Sequence, residues 1–206
     1  MTLFQFLLLV VAVAIFYIFF RQLFSGDYPR RGEDFGDSDK PSTFSQTEDV
    51  AGATPSSRIE ELKSQAREAM DGGDYPEAVK ALRSALVLDA DDIEVSRMLG
   101  VAYMNMNDFL SARETFERVL SIDADDDLAL SSLANALHRL GEDEKALEMH
   151  RKAIQKDPGY APHYYNYANT LYDMGRKEDA LENYKKAYSL DSGMKEAIEM
   201  IKELEK

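Results

Sequence analysis

Residues 127–160, DLALSSLANALHRLGEDEKALEMHRKAIQKDPGY, and residues 161–194, APHYYNYANTLYDMGRKEDALENYKKAYSLDSGM, are two copies of one 34-residue pattern. Set one above the other, they pair Ala134 with Ala168, Gly141 with Gly175, Ala146 with Ala180 and Asp157 with Asp191. The pattern continues upstream in blocks that start at Ile93 and Ile59. Position 8 is then small throughout, as Ala66, Gly100, Ala134 and Ala168. Position 15 reads Gly73, Asn107, Gly141 and Gly175, position 20 is Ala78, Ala112, Ala146 and Ala180, and position 31 is Asp89, Asp123, Asp157 and Asp191. A period of this length predicts a solenoid, in which each unit buries its apolar face against the next.

Within a block the apolar spacing predicts two amphipathic helices. In the second block Ser96, Leu99, Gly100 and Tyr103 share one face, and Ala112, Phe116 and Val119 share another. Asn107 and Asp108 make the turn between them. Gly and Asn tolerate the left-handed backbone that ends a helix cleanly. Small residues at positions 8 and 20 let the paired helices approach, and position 24 (Leu82, Phe116, His150, Tyr184) fills the space toward the next unit. His150 stands there in place of an aromatic residue.

The pattern resembles the tetratricopeptide repeat. The fourth block carries most of its marks, in Tyr164, Tyr167, Ala168, Leu171, Ala180, Tyr184 and Ala187. The third has Leu133, Ala134, Ala146, Ala153 and Pro158, the second Leu99, Gly100, Tyr103, Ala112 and Phe116. The first departs furthest, with Gln65 and Leu82 at two of the marked positions. The resemblance implies an all-α, right-handed superhelix of four helix-turn-helix units, at 59–92, 93–126, 127–160 and 161–194. A capping helix at 195–206 follows, with Ala197, Ile198 and Ile201 on its apolar side.

Upstream, Leu3 to Phe20 is apolar except for Gln5, and Arg21 follows. Eighteen helical residues span roughly 27 Å, about the hydrocarbon thickness of a bilayer. Residues 3–24 are therefore expected to form a single transmembrane anchor. No basic residue precedes the run and its end is bulky, which suits an anchor better than a cleaved signal peptide. Arg21, Arg30 and Arg31 on the far side place the repeats in the cytoplasm, most naturally at a bacterial inner membrane. Residues 25–57 are rich in Gly, Asp, Ser, Thr and Pro and read as a disordered linker with a reach of roughly 30 Å.

The net charge is −14, and most of the excess acid lies from Arg58 onward. That argues against a nucleic-acid surface, which needs a basic face. With no cysteine, a disulfide framework, a thiol nucleophile and a Cys-based zinc site are excluded. Asp123, Asp125, Asp126 and Asp127 begin like a calcium loop, but Leu128 and Ala134 stand where Gly and Glu are needed. His138, His150 and His163 fall at unrelated block positions and share no ligand spacing. No cofactor, metal or catalytic activity is expected.

The resemblance further implies a concave groove lined by the first helices. Its residues here are Lys63 and Arg67, then Arg97, Val101 and Met104, then Asn135, His138 and Arg139, then Tyr165, Asn169 and Tyr172. Four of these are basic, in an acidic protein, and two are amides that both donate to and accept from a peptide backbone. The expected partner is a protein or peptide carrying acidic groups or a C-terminal carboxylate. The basic residues also have internal acids within reach in Glu60, Glu94 and Asp71. The family's carboxylate clamp is incomplete: Arg67 and Met98 replace Asn in the first two units, and Ser131 replaces Lys beside Asn135 and Asn166. The sequence reads as a membrane-anchored adaptor. The alternatives are an envelope or cytochrome assembly factor with extracytoplasmic repeats, and a self-associating structural protein.

Overall fold

The computed structural model describes residues 54–206. The proposed anchor and the linker as far as residue 53 lie outside the described residues. The described part is all-α, with nine helices and no strand. They are α1 (Pro55–Asp71), α2 (Tyr75–Leu88), α3 (Ile93–Asn105), α4 (Phe109–Ile122), α5 (Asp127–Arg139), α6 (Asp143–Lys156), α7 (Ala161–Asp173), α8 (Lys177–Leu190) and α9 (Lys195–Leu204). Among the described residues no helix is long and apolar enough to cross a membrane.

The first helix starts inside the stretch assigned to the linker. Thr54 caps it, its hydroxyl accepting from the Ser57 N–H at 3.2 Å, and Pro55 opens the first turn. Both are helix-start residues. Thr54, Pro55, Ser56 and Ser57 match a spacer in composition, but their order specifies a cap.

Every helix pair closes in the same way. Gly73, Gly141 and Gly175 have φ of 77°, 79° and 77°, and Asn107 has φ 58°. The residue after each returns its N–H to a carbonyl five residues back: Asp74 to Ala69, Asp108 to Tyr103, Glu142 to Leu137 and Arg176 to Leu171. This left-handed closure satisfies carbonyls that the helix end would otherwise leave open. The aspartate at position 31 also has one job in all four units. Its Oδ1 accepts from the backbone N–H two residues on, at Asp91, Asp125, Gly159 and Gly193. Each is a side-chain turn that starts the connection to the next unit. Asp74, Asp92, Asp108 and Asp126 cap α2 to α5 with their side chains. Much of the acidic composition is thus structural punctuation.

The core runs along the array as a seam. Ala66, Ala134 and Ala168 are fully buried at position 8, as are the four alanines at position 20. Leu82, Phe116, His150 and Tyr184 are buried at position 24. Phe116 joins Ala112 and Val119 of its own unit to Ala129 and Leu133 of the next. Tyr184 closes the last unit, where Met200, Ile201 and Leu204 of α9 pack beside it. The end helix covers apolar surface that a further unit would otherwise have to cover.

Position 8 of the second unit is glycine because of its neighbour. A Cβ built on Gly100 would lie 2.5 Å from Phe116 Cζ and 2.6 Å from its Cε1. Replacing Gly100 with Ala improves helix propensity by about 1 kcal/mol. Overpacking against a buried ring costs about 1–3 kcal/mol, and the ring has no open side to move into. Gly100→Ala is therefore expected to lower the urea midpoint, whereas Gly100→Ala combined with Phe116→Leu should recover part of the loss.

Candidate functional site

The first helices of successive units lie side by side. α3 meets α5 and α5 meets α7 directly, and the second helices of successive units make no comparable contact. The closer-packed row marks the inside of the array. It carries the expected groove residues, and the structure shows what each of them touches.

The basic residues at the N-terminal end have acids as partners. Lys63 is 5% exposed. Its Nζ reaches Glu60 Oε1 at 2.9 Å and also Glu94 Oε2. Arg67 Nη2 meets the other oxygen of Glu94 at 2.7 Å. Arg97 Nη1 stands 3.4 Å from Oδ2 of Asp126, whose carboxyl is almost wholly buried and whose Oδ1 accepts from the Ala129 N–H at 2.8 Å. Of the two readings the sequence left open for these cations, the pairing with internal acids is the one the structure shows for Lys63 and Arg67. An acid at the start of the next first helix reaches back and neutralises each cation. Glu94 takes this role and Glu60 adds a pair within α1, both as the sequence allowed, whereas Asp71 makes no ion pair with them. The hydrogen bonds to Glu94 and Glu60 hold the Lys63 ammonium above its usual range. The same bond from Lys63, with a smaller contribution from Arg67, holds the Glu94 carboxyl below the usual carboxylate range.

Polar links continue along the row. His163 Nε2 of α7 donates to Oδ2 of Asp127, at the start of α5, at 2.7 Å. Asn166 Nδ2 donates to Ser131 Oγ at 3.3 Å, so the two clamp positions of the last units bond each other. His138 lies between Asp143 Oδ1 at 2.7 Å and Asp173 Oδ2 at 3.3 Å. Tyr172 donates to Glu203 of α9 at 3.0 Å. Asn169 Oδ1 accepts from the Tyr184 hydroxyl at 2.7 Å, and burial pushes that phenol well above its usual range. The acids Asp126, Asp127, Asp173 and Glu203 were not among the expected site residues. Asp126 and Asp127 were visible at the junction of two blocks as part of an acidic turn, whereas Asp173 ends α7 and Glu203 lies in α9 with no signal of a link.

What the row offers outward is correspondingly narrower. Asn135 is half-buried and has no hydrogen-bond partner among the described residues. Arg139 is exposed and lies over the Phe109 ring, 4.6 Å from its centroid. Tyr165 stacks at a tilt on Tyr184, with centroids 5.6 Å apart. Val101 is exposed and Met104 half-buried. The C-terminal half of the row thus presents an amide, aromatic rings and one cation, and the N-terminal half presents closed ion pairs. No group of three or more His, Asp or Glu able to hold a metal occurs among the described residues.

Three family models match the chain, each described as a tetratricopeptide repeat, over residues 69–137, 129–159 and 151–182. Together they run without a break from residue 69 to residue 182. No curated protein matches by sequence. Among solved structures, a crystal structure of MamA is 25% identical with a TM-score of 0.58, over 68% of this chain and 81% of that one. MamA from Desulfovibrio magneticus RS-1, residue 41 to its end, is 19% identical with a TM-score of 0.57, over 71% and 93%. A thermophilic TPR protein of Thermus thermophilus, TTC0263, is 19% identical with a TM-score of 0.65, over 71% and 80%. The last two show a shared fold.

His150 supplies a pH test of the seam. It is fully buried, its Nε2 lies 3.0 Å from the Thr170 hydroxyl, and its Nδ1 has no partner. Burial lowers its pKa to about 3, with smaller contributions from His138 and His163. The folded chain keeps this imidazole neutral, and the unfolded chain protonates it below an ordinary pKa of 6.5. Stability is therefore lost as pH falls below 6.5, by up to about 1.4 kcal/mol per pH unit for this one proton. Urea midpoints between about pH 7.5 and 5 should fall more gently in His150→Phe than in the parent.

Proposed function

This chain belongs to the tetratricopeptide-repeat family, a protein-interaction scaffold, and from that premise we propose that it holds a partner protein segment along the inner row of first helices. The observation that carries this reading is the unpartnered Asn135 amide of α5, one helical turn before the exposed Arg139, with α7 and its Tyr165 and Tyr172 as the neighbouring helix of the row. A side-chain amide that both donates and accepts can pair with the backbone of an extended segment. Tyrosines add contact area at low entropic cost. Because Lys63, Arg67 and Arg97 already face acids, an acidic or carboxylate-bearing segment would meet only Arg139 as an uncommitted cation. Backbone pairing and aromatic contact then carry more of the recognition than charge does.

The proposed setting is a single-pass membrane protein. Leu3 to Phe20 anchors the chain, and Arg21, Arg30 and Arg31 keep the repeats on the cytoplasmic side. The linker lets the array search for its partner close to the bilayer.

The test uses the full chain in lipid nanodiscs and the protein recovered with it from solubilised cells. Asn135→Ala with Arg139→Ala removes the offered groups and leaves Asn169, which holds the buried Tyr184 hydroxyl, in place. The double variant should melt with the parent and bind the recovered partner about tenfold or more weakly. Equal affinity in parent and variant would remove the inner row from the binding site.

A further inference from the structure

A second surface lies on the other side of α3. Arg97, Val101 and Met104 face the inner row, and Leu99 and Tyr103 lie two residues off that stripe, on the opposite side of the helix. Leu99 and Tyr103 form the floor of an open pocket of about 360 Å³ between α2 and α4. From α2 come Leu86 and Val87, and Val87 is 84% exposed. From α4 come Ser111 and Thr115.

The repeat itself explains why the pocket is open. Position 23 is Thr115 here, Met149 in the third unit and Asn183 in the fourth. At the next junction Met149 is packed into the cluster around Leu133 and Leu137, the counterparts of the pocket floor. At the last junction Arg151 reaches across to the Tyr167 hydroxyl at 3.4 Å. The first junction has neither device. The Thr115 hydroxyl instead turns back to the Ser111 carbonyl at 2.7 Å.

The charges around this opening point to the occupant. Arg83, which lines the pocket, is exposed and has no acidic partner among the described residues. In a chain of net charge −14, whose inner cations face acids, this guanidinium stays available to an incoming carboxylate. Arg118 is held at the rim by the Ala90 carbonyl at 2.9 Å and lies 3.8 Å from Asp91, and Glu114 lines the α4 side of the pocket, so the site for a carboxylate is the α2 side, beside Arg83. An apolar floor with an uncommitted guanidinium beside it suits a bulky side chain anchored in the pocket and an acid next to it.

We propose that the α2–α4 pocket docks a partner-protein segment that presents a bulky apolar side chain with a carboxylate beside it, independently of the inner row.

A displayed random-peptide library, selected on the full chain in nanodiscs, tests this. Two pocket variants read the result. Thr115→Met fills the pocket as Met149 fills its neighbour, and Arg83→Glu reverses the charge at an exposed position. Selected peptides should share an aromatic or large aliphatic residue next to Asp or Glu. They should bind both variants about tenfold or more weakly, while Asn135→Ala with Arg139→Ala leaves them unaffected. A thermal melt of Thr115→Met that matches the parent excludes misfolding, and Arg83→Glu gives the same reading without a change in packing. The proposal is overturned if no selected peptide responds to either pocket variant. Peptides that respond only to the inner-row variant would also overturn it, while supporting the inner row as a site. Self-association of the full chain abolished by Thr115→Met would make a second copy the occupant, which likewise overturns it.

Discussion

The close approach of two helices at position 8 is the constraint on which the rest of the array depends. A unit of two short helices cannot bury enough apolar surface alone, so each must share its seam with the next. That sharing requires a large residue at position 24 to lie against a very small one at position 8. In the second unit the fit leaves no room for even a methyl group between Gly100 and Phe116. In the last unit Tyr184 fills the same place and passes the contact on to α9. With the seam fixed, the first helices come into one row, and their side chains meet across the unit boundary.

Those meetings decide what the inner face can do. Five successive helices of the row, α1, α3, α5, α7 and α9, are tied together by polar contacts: Lys63 to Glu94, Arg97 to Asp126, Asp127 to His163, and Tyr172 to Glu203. The links add directional contacts between each unit and the next to the close packing of the seam. They also pair three of the four expected cations with acids of the array, although only Lys63 is buried by its pairing. The acidic excess of the chain is thereby divided between helix caps, connecting turns and inter-unit links, and much of it serves the fold itself.

The sequence made the fold legible because its signals recur. Gly at position 15, Ala at position 20 and the period itself lead to helix pairs and to their order. The recurring Asp at position 31 was visible as a pattern, but its role as a turn-forming acceptor depends on local backbone geometry. The site was harder to read. Block position indicated which residues lie along the inner row, but not which acid from the following unit comes within reach of them. Lys63 and Glu94 are far apart in sequence and adjacent in space, and only the stacking of units brings them together. The helix start at Pro55 was missed for a different reason. Thr54 and Pro55 have the composition of a linker, and their meaning as a cap lies in their order. The α2–α4 pocket also depends on a contrast between units, Thr115 against Met149, which matters only once the two positions are known to face the same kind of junction.

The central claim is that the cations of the inner row are committed within the array, so that recognition there rests on Asn135 and the tyrosines beside it. Competitive labelling of the full chain with an amine-reactive ester tests it most directly, with Lys80 as the internal reference. The Lys63 side chain is 6% exposed and bound by two carboxylates, and that of Lys80 is 74% exposed on the surface of α2. The account predicts that Lys63 labels about tenfold or more slowly than Lys80, and that Glu94→Gln narrows the gap while Glu60 and burial still hold Lys63 below Lys80. Equal rates in the parent chain would contradict it, and would return a free ammonium to the groove as a binding group for an acidic partner.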